Sequence, residues 1–231
     1  MSKILIVAAT EPEVDFLIKK SKKTINRHLK TVKGSTKHEI DLLITGPGIT
    51  ATAYQLTKAL ITKKYDLAIN IGICGSFDAH LKPVRLVNII TDQFGDFGAE
   101  NGDKNLDVFE IGLVKQNDPP FRNGKLTVKP LKQLKCLKAI RNAEAITVQR
   151  VHGSDQSIRK AHKKFGNVVE SMEGAAFFYV CLKEKVACIQ VRAISNMVEK
   201  RNKKNWKIRE SVDALEGFTG LMLMELENSF G

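Results

Sequence analysis

Ile4-Leu5-Ile6-Val7-Ala8-Ala9 runs directly into Thr10-Glu11-Pro12-Glu13. The first six residues are apolar without interruption. A strand open to water on one face would alternate, so this run predicts a strand covered on both faces, as in a parallel sheet with helices on either side. The next four read as a helix start: a threonine cap, a proline in the first turn, and a glutamate three residues after the cap. Val14, Leu17 and Ile18 would give that helix its apolar face.

The same reading extends outward. Residues 39–45 predict a second strand, stopped by Gly46-Pro47-Gly48, and 49–63 a helix whose apolar stripe is Ala53, Leu56, Ala59 and Leu60. Residues 67–71 predict a short buried strand that ends in a turn at Gly72-Ile73-Cys74-Gly75. Strands are further predicted at 84–90, 145–151 and 188–194, and helices at 154–165, 172–182 and 208–226; 94–106 and 118–124 read as loops. Alternating strands and helices predict one α/β domain over residues 1–231. Its central sheet should be mixed, largely parallel and flanked by helices. Ligands in such sheets sit at the carboxyl ends of strands.

The chain has 231 residues, a net charge of +12, 43% hydrophobic and 27% charged residues. These values exclude a disordered or collagen-like chain. Cys74, Cys136, Cys181 and Cys188 are scattered and form no Cys-x-x-Cys pair, so neither a disulfide framework nor a zinc site is expected. Reduced thiols point to the cytoplasm. The positive charge raises the question of a nucleic-acid partner. The lysines are spread along the chain, however, and no aromatic residues interleave with them as stacking platforms, so none is expected. No apolar run approaches the roughly 20 residues of a membrane span, and the N-terminal run is too short for a signal-peptide core, so no membrane association is expected either.

Four segments at predicted strand ends carry candidate chemistry: Thr10–Glu13, Gly72–Gly75, Val169–Glu173 and Arg192–Asn196. Each also has a structural reading. Glu13 suits a capping box, the glycines suit a turn, and Glu173 suits a helix dipole. Arg192 stands in an apolar strand, and a buried arginine needs an anionic partner, for which Glu173 or Glu170 is available.

Together these segments resemble the purine nucleoside phosphorylase and methylthioadenosine nucleosidase family along nearly the whole chain. The detail of Phe94-Gly95-Asp96-Phe97-Gly98-Ala99-Glu100, Val151-His152-Gly153-Ser154, Glu170-Ser171-Met172-Glu173-Gly174-Ala175-Ala176 and Ile194-Ser195-Asn196-Met197-Val198-Glu199 is similar to its branch that hydrolyses futalosine. The resemblance implies a hydrolytic enzyme that releases a purine base from a small-molecule nucleoside, needs no cofactor or metal, and forms a homo-oligomer. It implies that Glu13 acts on the attacking water and that Asn196 meets the departing base. Glu173 would hold the ribose hydroxyls, with Met172 packed on the sugar and Arg192 keeping Glu173 ionised. Gly72, Ile73, Cys74, Gly75, Val151 and His152 would line the pocket, and Phe94 and the sole tryptophan, Trp206, would contact the base or its side group. Where adenine-specific members have an aspartate, this chain has Asn196. Where phosphorylases have a phosphate-holding arginine before the glycines, it has Asn70. Three alternatives follow: an adenine-nucleoside or aminofutalosine nucleosidase, a phosphate-dependent phosphorylase, and a basic nucleic-acid-binding protein on a retired enzyme scaffold.

Overall fold

Successive residues of the first strand serve two different cores. A computed structural model describes residues 2–32, 37–131 and 134–229. In it β1 (Ser2–Ala8) lies between two parallel neighbours. Ile4, Ile6 and Ala8 face one apolar cluster with Leu215, Phe218, Met222 and Leu226, while Leu5 and Val7 face another with Leu56, Leu60, Phe177 and Phe178. Side chains alternate across a strand, so a strand buried on both faces needs apolar residues at every position.

The elements after β1 are α1 (Asp15–Ile18), β2 (Ser21–Thr24), β3 (Leu29–Val32), β4 (His38–Ile44), α2 (Ile49–Thr62), β5 (Leu67–Ser76) and β6 (Leu86–Phe94). Then come β7 (Gly98–Asn101), β8 (Lys104–Asp107), β9 (Leu126–Thr127), β10 (Arg141–Thr147), α3 (Asp155–Phe165), β11 (Val169–Ser171), α4 (Gly174–Lys183), β12 (Ala187–Met197) and α5 (Ile208–Ser229). The sheet order is β11-β10-β6-β12-β5-β1-β4-β3-β2, with β9 on β6. β11 also pairs antiparallel with β5, so β5, β12, β6, β10 and β11 close into a ring. β4, β1, β5 and β12 run parallel, and β6 is antiparallel to β12. This is the mixed α/β sheet expected. α5 lies over one face and α2 with α4 over the other.

Several local expectations need correction. The glycines at 72–75 do not turn the chain: β5 continues through them to Ser76. Gly72 is instead required by close approach, because a Cβ there would lie 2.3 Å from Arg192 Nη1 and 2.7 Å from Glu13 Oε1. After Thr10 the chain makes one 3-10 turn, Glu11–Glu13, and then only the four-residue α1. Part of the expected loop 94–106 is the hairpin β7–β8, in which a Cβ on Gly98 would sit 1.9 Å from the Leu106 carbonyl oxygen. The strand expected at 145–151 lies at Arg141–Thr147, and β2, β3 and β9 carry too few apolar residues to stand out in the sequence. Among the described residues no helix is long and apolar enough to cross a membrane.

Candidate active site

The carboxyl ends of the parallel strands β4, β1, β5 and β12 bring the first residues of the site together. Glu13, buried at the end of the turn after β1, has both oxygens engaged. Its Oε2 accepts from the Thr10 backbone N–H at 3.0 Å and the Thr10 hydroxyl at 2.9 Å. Its Oε1 accepts from Ile73 N–H at 3.0 Å, in the middle of the glycine segment of β5. The capping role and the contact with the site are therefore both present, one on each oxygen.

Glu173 caps the start of α4 and is equally buried. Its Oε1 accepts from Gly48 N–H at 2.9 Å, the residue that follows β4 and precedes α2. Burial raises its pKa above the usual carboxylate value. The Arg192 charge and the Gly48 N–H pull it down, and the Glu13 charge pushes it further up. Arg192 thus favours the ionised form, as expected, but burial outweighs it.

Arg192 does not reach its charge partner directly. Its Nε and Nη2 donate to Gln190 Oε1 at 3.1 and 2.8 Å, and Nη2 also donates to Asn70 Oδ1. Glu170, the other partner considered, is taken by His152, whose backbone N–H donates to Oε1 at 3.1 Å and whose Nδ1 meets Oε2. His152 also packs edge-on against Phe77, with ring centroids 5.8 Å apart.

Asn196 sits where β12 shifts register against β5, opposite Gly75. Its Oδ1 is 2.9 Å from the Ser195 hydroxyl, and its Nδ2 donates to the Met197 carbonyl at 2.9 Å. A Cβ on Gly75 would approach Nδ2 to 3.3 Å, so the glycine leaves room for the amide. Of the remaining expected residues, Met172 is half-buried beside Glu173 and Val151 is exposed. Cys74 is buried with its thiol pushed up to about 12, which leaves it an unreactive wall residue. Phe94 makes its ring contacts in a cluster with Phe97, Phe121 and Tyr179. Trp206 stacks under Arg201, 5.1 Å from the guanidinium carbon, in a segment tied to the end of β12 by Lys207 N–H donating to Ser195 O at 2.8 Å.

Sequence reasoning missed Gly48, Asp92 and Gln190. Gly48 contributes only a backbone N–H, which leaves no side-chain signal. Gln190 stands two residues before Arg192 in the same strand, and residues two apart share a face, so its position beside the guanidinium was available from spacing.

A family model described as the phosphorylase superfamily matches residues 3–220. Futalosine hydrolase of Streptomyces coelicolor is 29% identical over 211 residues, covering 84% of this chain and 85% of that protein. The 5'-methylthioadenosine/S-adenosylhomocysteine nucleosidase of Colwellia psychrerythraea is 28% identical over 213 residues, covering 85% and 84%. Among solved structures, a futalosine hydrolase mutant of Helicobacter pylori superposes with a TM-score of 0.81 at 17% identity, over 97% of this chain and 100% of that one, a likeness of fold.

Proposed function

The chain belongs to the phosphorylase superfamily, and from that premise we propose that it is a nucleosidase, which uses water to cleave the N-glycosidic bond of a purine nucleoside. The observation that carries the reading is the pair of buried carboxylates, Glu13 and Glu173, near enough for the Glu13 charge to act on Glu173. Cleavage of this bond passes through a cationic, oxocarbenium-like sugar. A carboxylate that accepts hydrogen bonds from ribose hydroxyls favours that charge, which is the role of Glu173. Glu13 orients water and takes its proton once the sugar is cationic. A phosphorylase would need arginines near the end of the first strand to hold phosphate; this chain has Glu11 and Glu13 there, and repulsion disfavours phosphate.

We further propose that the substrate is futalosine and the product base hypoxanthine. The anionic charge of a departing 6-oxopurine spreads over O6 and N7, both acceptors. With one Asn196 N–H donated to Met197, the other remains to meet that charge, and the Ser195 hydroxyl keeps the amide oxygen turned away. An adenine leaving group instead requires a proton on N7, which asparagine does not supply. The Colwellia relative keeps the adenine-nucleoside reading as the alternative. The cytoplasmic location expected from the reduced thiols and the homo-oligomeric state implied by the resemblance belong to the same proposal, and size-exclusion chromatography tests the second.

The deciding experiment incubates the protein with futalosine, inosine and methylthioadenosine, with and without phosphate. Hypoxanthine should leave futalosine fastest, at a rate indifferent to phosphate and with a free sugar as co-product. A sugar 1-phosphate would overturn the hydrolytic reading. Equal rates on methylthioadenosine and futalosine would overturn the specificity.

A further inference from the structure

The interior of the five-strand ring carries a connected chain of polar groups beneath the candidate site. Asp92 on β6, Gln190 and Arg192 on β12, Asn70 on β5 and Thr147 on β10 are all at most 1% exposed. Gln190 Nε2 donates to Asp92 Oδ2 at 3.2 Å, while Gln190 Oε1 accepts from Arg192. On the other oxygen, Asp92 Oδ1 accepts from the Thr147 hydroxyl at 3.0 Å and from Gln93 N–H at 2.8 Å. The Thr147 hydroxyl in turn accepts from Ala175 N–H at 2.7 Å, in the first turn of the helix capped by Glu173. α4 sits directly on this chain, since a Cβ on Gly174 would lie 2.2 Å from both Asp92 Oδ2 and Gln190 Oε1.

We propose that Asp92 and Gln190 are positioning residues: the Asp92 carboxylate, acting through the Gln190 amide, orients the Arg192 guanidinium, and through Thr147 it seats the start of the helix that carries Glu173.

The polarity allows one arrangement. The Gln190 amide must turn its oxygen to the two guanidinium N–H groups and its nitrogen to the carboxylate, and each bond in such a chain polarises the next. The buried cation thereby gains its counter-charge at one remove. With Nε and Nη2 committed to Gln190 and Asn70, Nη1 is left facing Gly72 and Glu13. Asn70 is itself tied to β1 through Nδ2 donating to Val7 O at 2.9 Å, so the guanidinium is gripped from both sides. The charged and titratable groups whose charge is felt at Asp92 or that feel its charge are Arg192 on β12 and Cys74 on β5. Burial pushes Asp92 up to about 6, against the pull of Gln190, Thr147 and Arg192. Below that pH the carboxylate becomes protonated, and the chain to Arg192 loses its negative end.

What the positioned groups then do rests on the nucleosidase reading, so the test reads Arg192 separately from turnover. In nitrogen-15 NMR of arginine side chains, the Arg192 Nε–H signal, assigned by its loss in Arg192→Lys, should move with pH around a midpoint of about 6. Asp92→Asn and Gln190→Met should each abolish that movement. Turnover with futalosine should fall roughly 100-fold in both variants, with KM changed less than roughly threefold, because the loss is one of geometry at the reacting groups. An Arg192 signal whose position and pH response are unchanged in both Asp92→Asn and Gln190→Met overturns the proposal. A signal that behaves as expected in a protein releasing no base from any nucleoside supports the positioning role and overturns the nucleosidase reading alone.

Discussion

The two carboxylates reach the site by opposite routes. Glu13 is placed locally: Thr10, three residues earlier, holds one oxygen with two donors, and Ile73 N–H fixes the other. Glu173 is placed from afar, by Gly48, 125 residues away in the chain, and burial rather than hydrogen bonding dominates its protonation. A carboxylate held by three donors keeps its direction. Glu173, whose backbone donors Gly48 and Met172 do not offset its burial, changes charge more readily. On the proposed reading, the difference would separate a fixed base from a group whose value grows as the sugar becomes cationic.

Removing the base should have the largest effect. Glu13→Gln keeps the shape and much of the hydrogen bonding, and turnover should drop by roughly 10²–10⁴-fold while free base still binds; near-normal turnover would reduce Glu13 to a capping partner. Next comes Gly72→Ala, whose methyl would stand in the space of both Arg192 Nη1 and Glu13 Oε1. A displacement of this size at reacting groups costs roughly 10²-fold, and steady-state kinetics on a variant with unchanged circular dichroism would measure it.

Glu173→Gln should lower kcat by a smaller factor and leave KM nearly unchanged, since its contacts strengthen only in the transition state. It also carries a pH signature. Because burial raises the folded-state pKa above the unfolded value, the stability this group adds is whole below the unfolded pKa and lost as pH rises through the folded one. The variant's Tm should therefore gain on the wild type as pH rises above the range of free carboxylates; a constant difference would contradict the burial argument. The mildest change is Thr10→Ala, which removes one of Glu13's donors. Thermal unfolding should show a loss of about 1 kcal/mol, and turnover should fall only a few-fold.

The same contrast governs what the sequence reveals. The Thr10-Glu11-Pro12-Glu13 turn is legible because its partners are neighbours in the chain. β1, α2 and α5 are legible because a long apolar pattern has one physical reading. The glycines of β5 mislead: in sequence, a glycine for a turn and a glycine for close approach look alike, and only the Arg192 and Glu13 side chains distinguish them. Arg192 was recognisable as a buried cation in need of an anion. That the anion is Asp92, reached through an amide, depends on closure of the ring, which no local pattern encodes.

That closure also sets the order in which the protein can become active during synthesis. β5 leaves the ribosome long before β11, its antiparallel neighbour in the ring, and a domain generally folds as a unit. Until β11 and β12 arrive, the glycine segment of β5 has an open edge, Glu13 has no Arg192 near it, and Gly48 has no Glu173 to bind. Since such distant contacts are made late and slowly, an unfinished chain possesses no complete site. Catalytic competence is thus deferred until nearly the whole sequence has been made, and a nascent chain stalled before residue 169 would present the edge of β5 for a chaperone to cover.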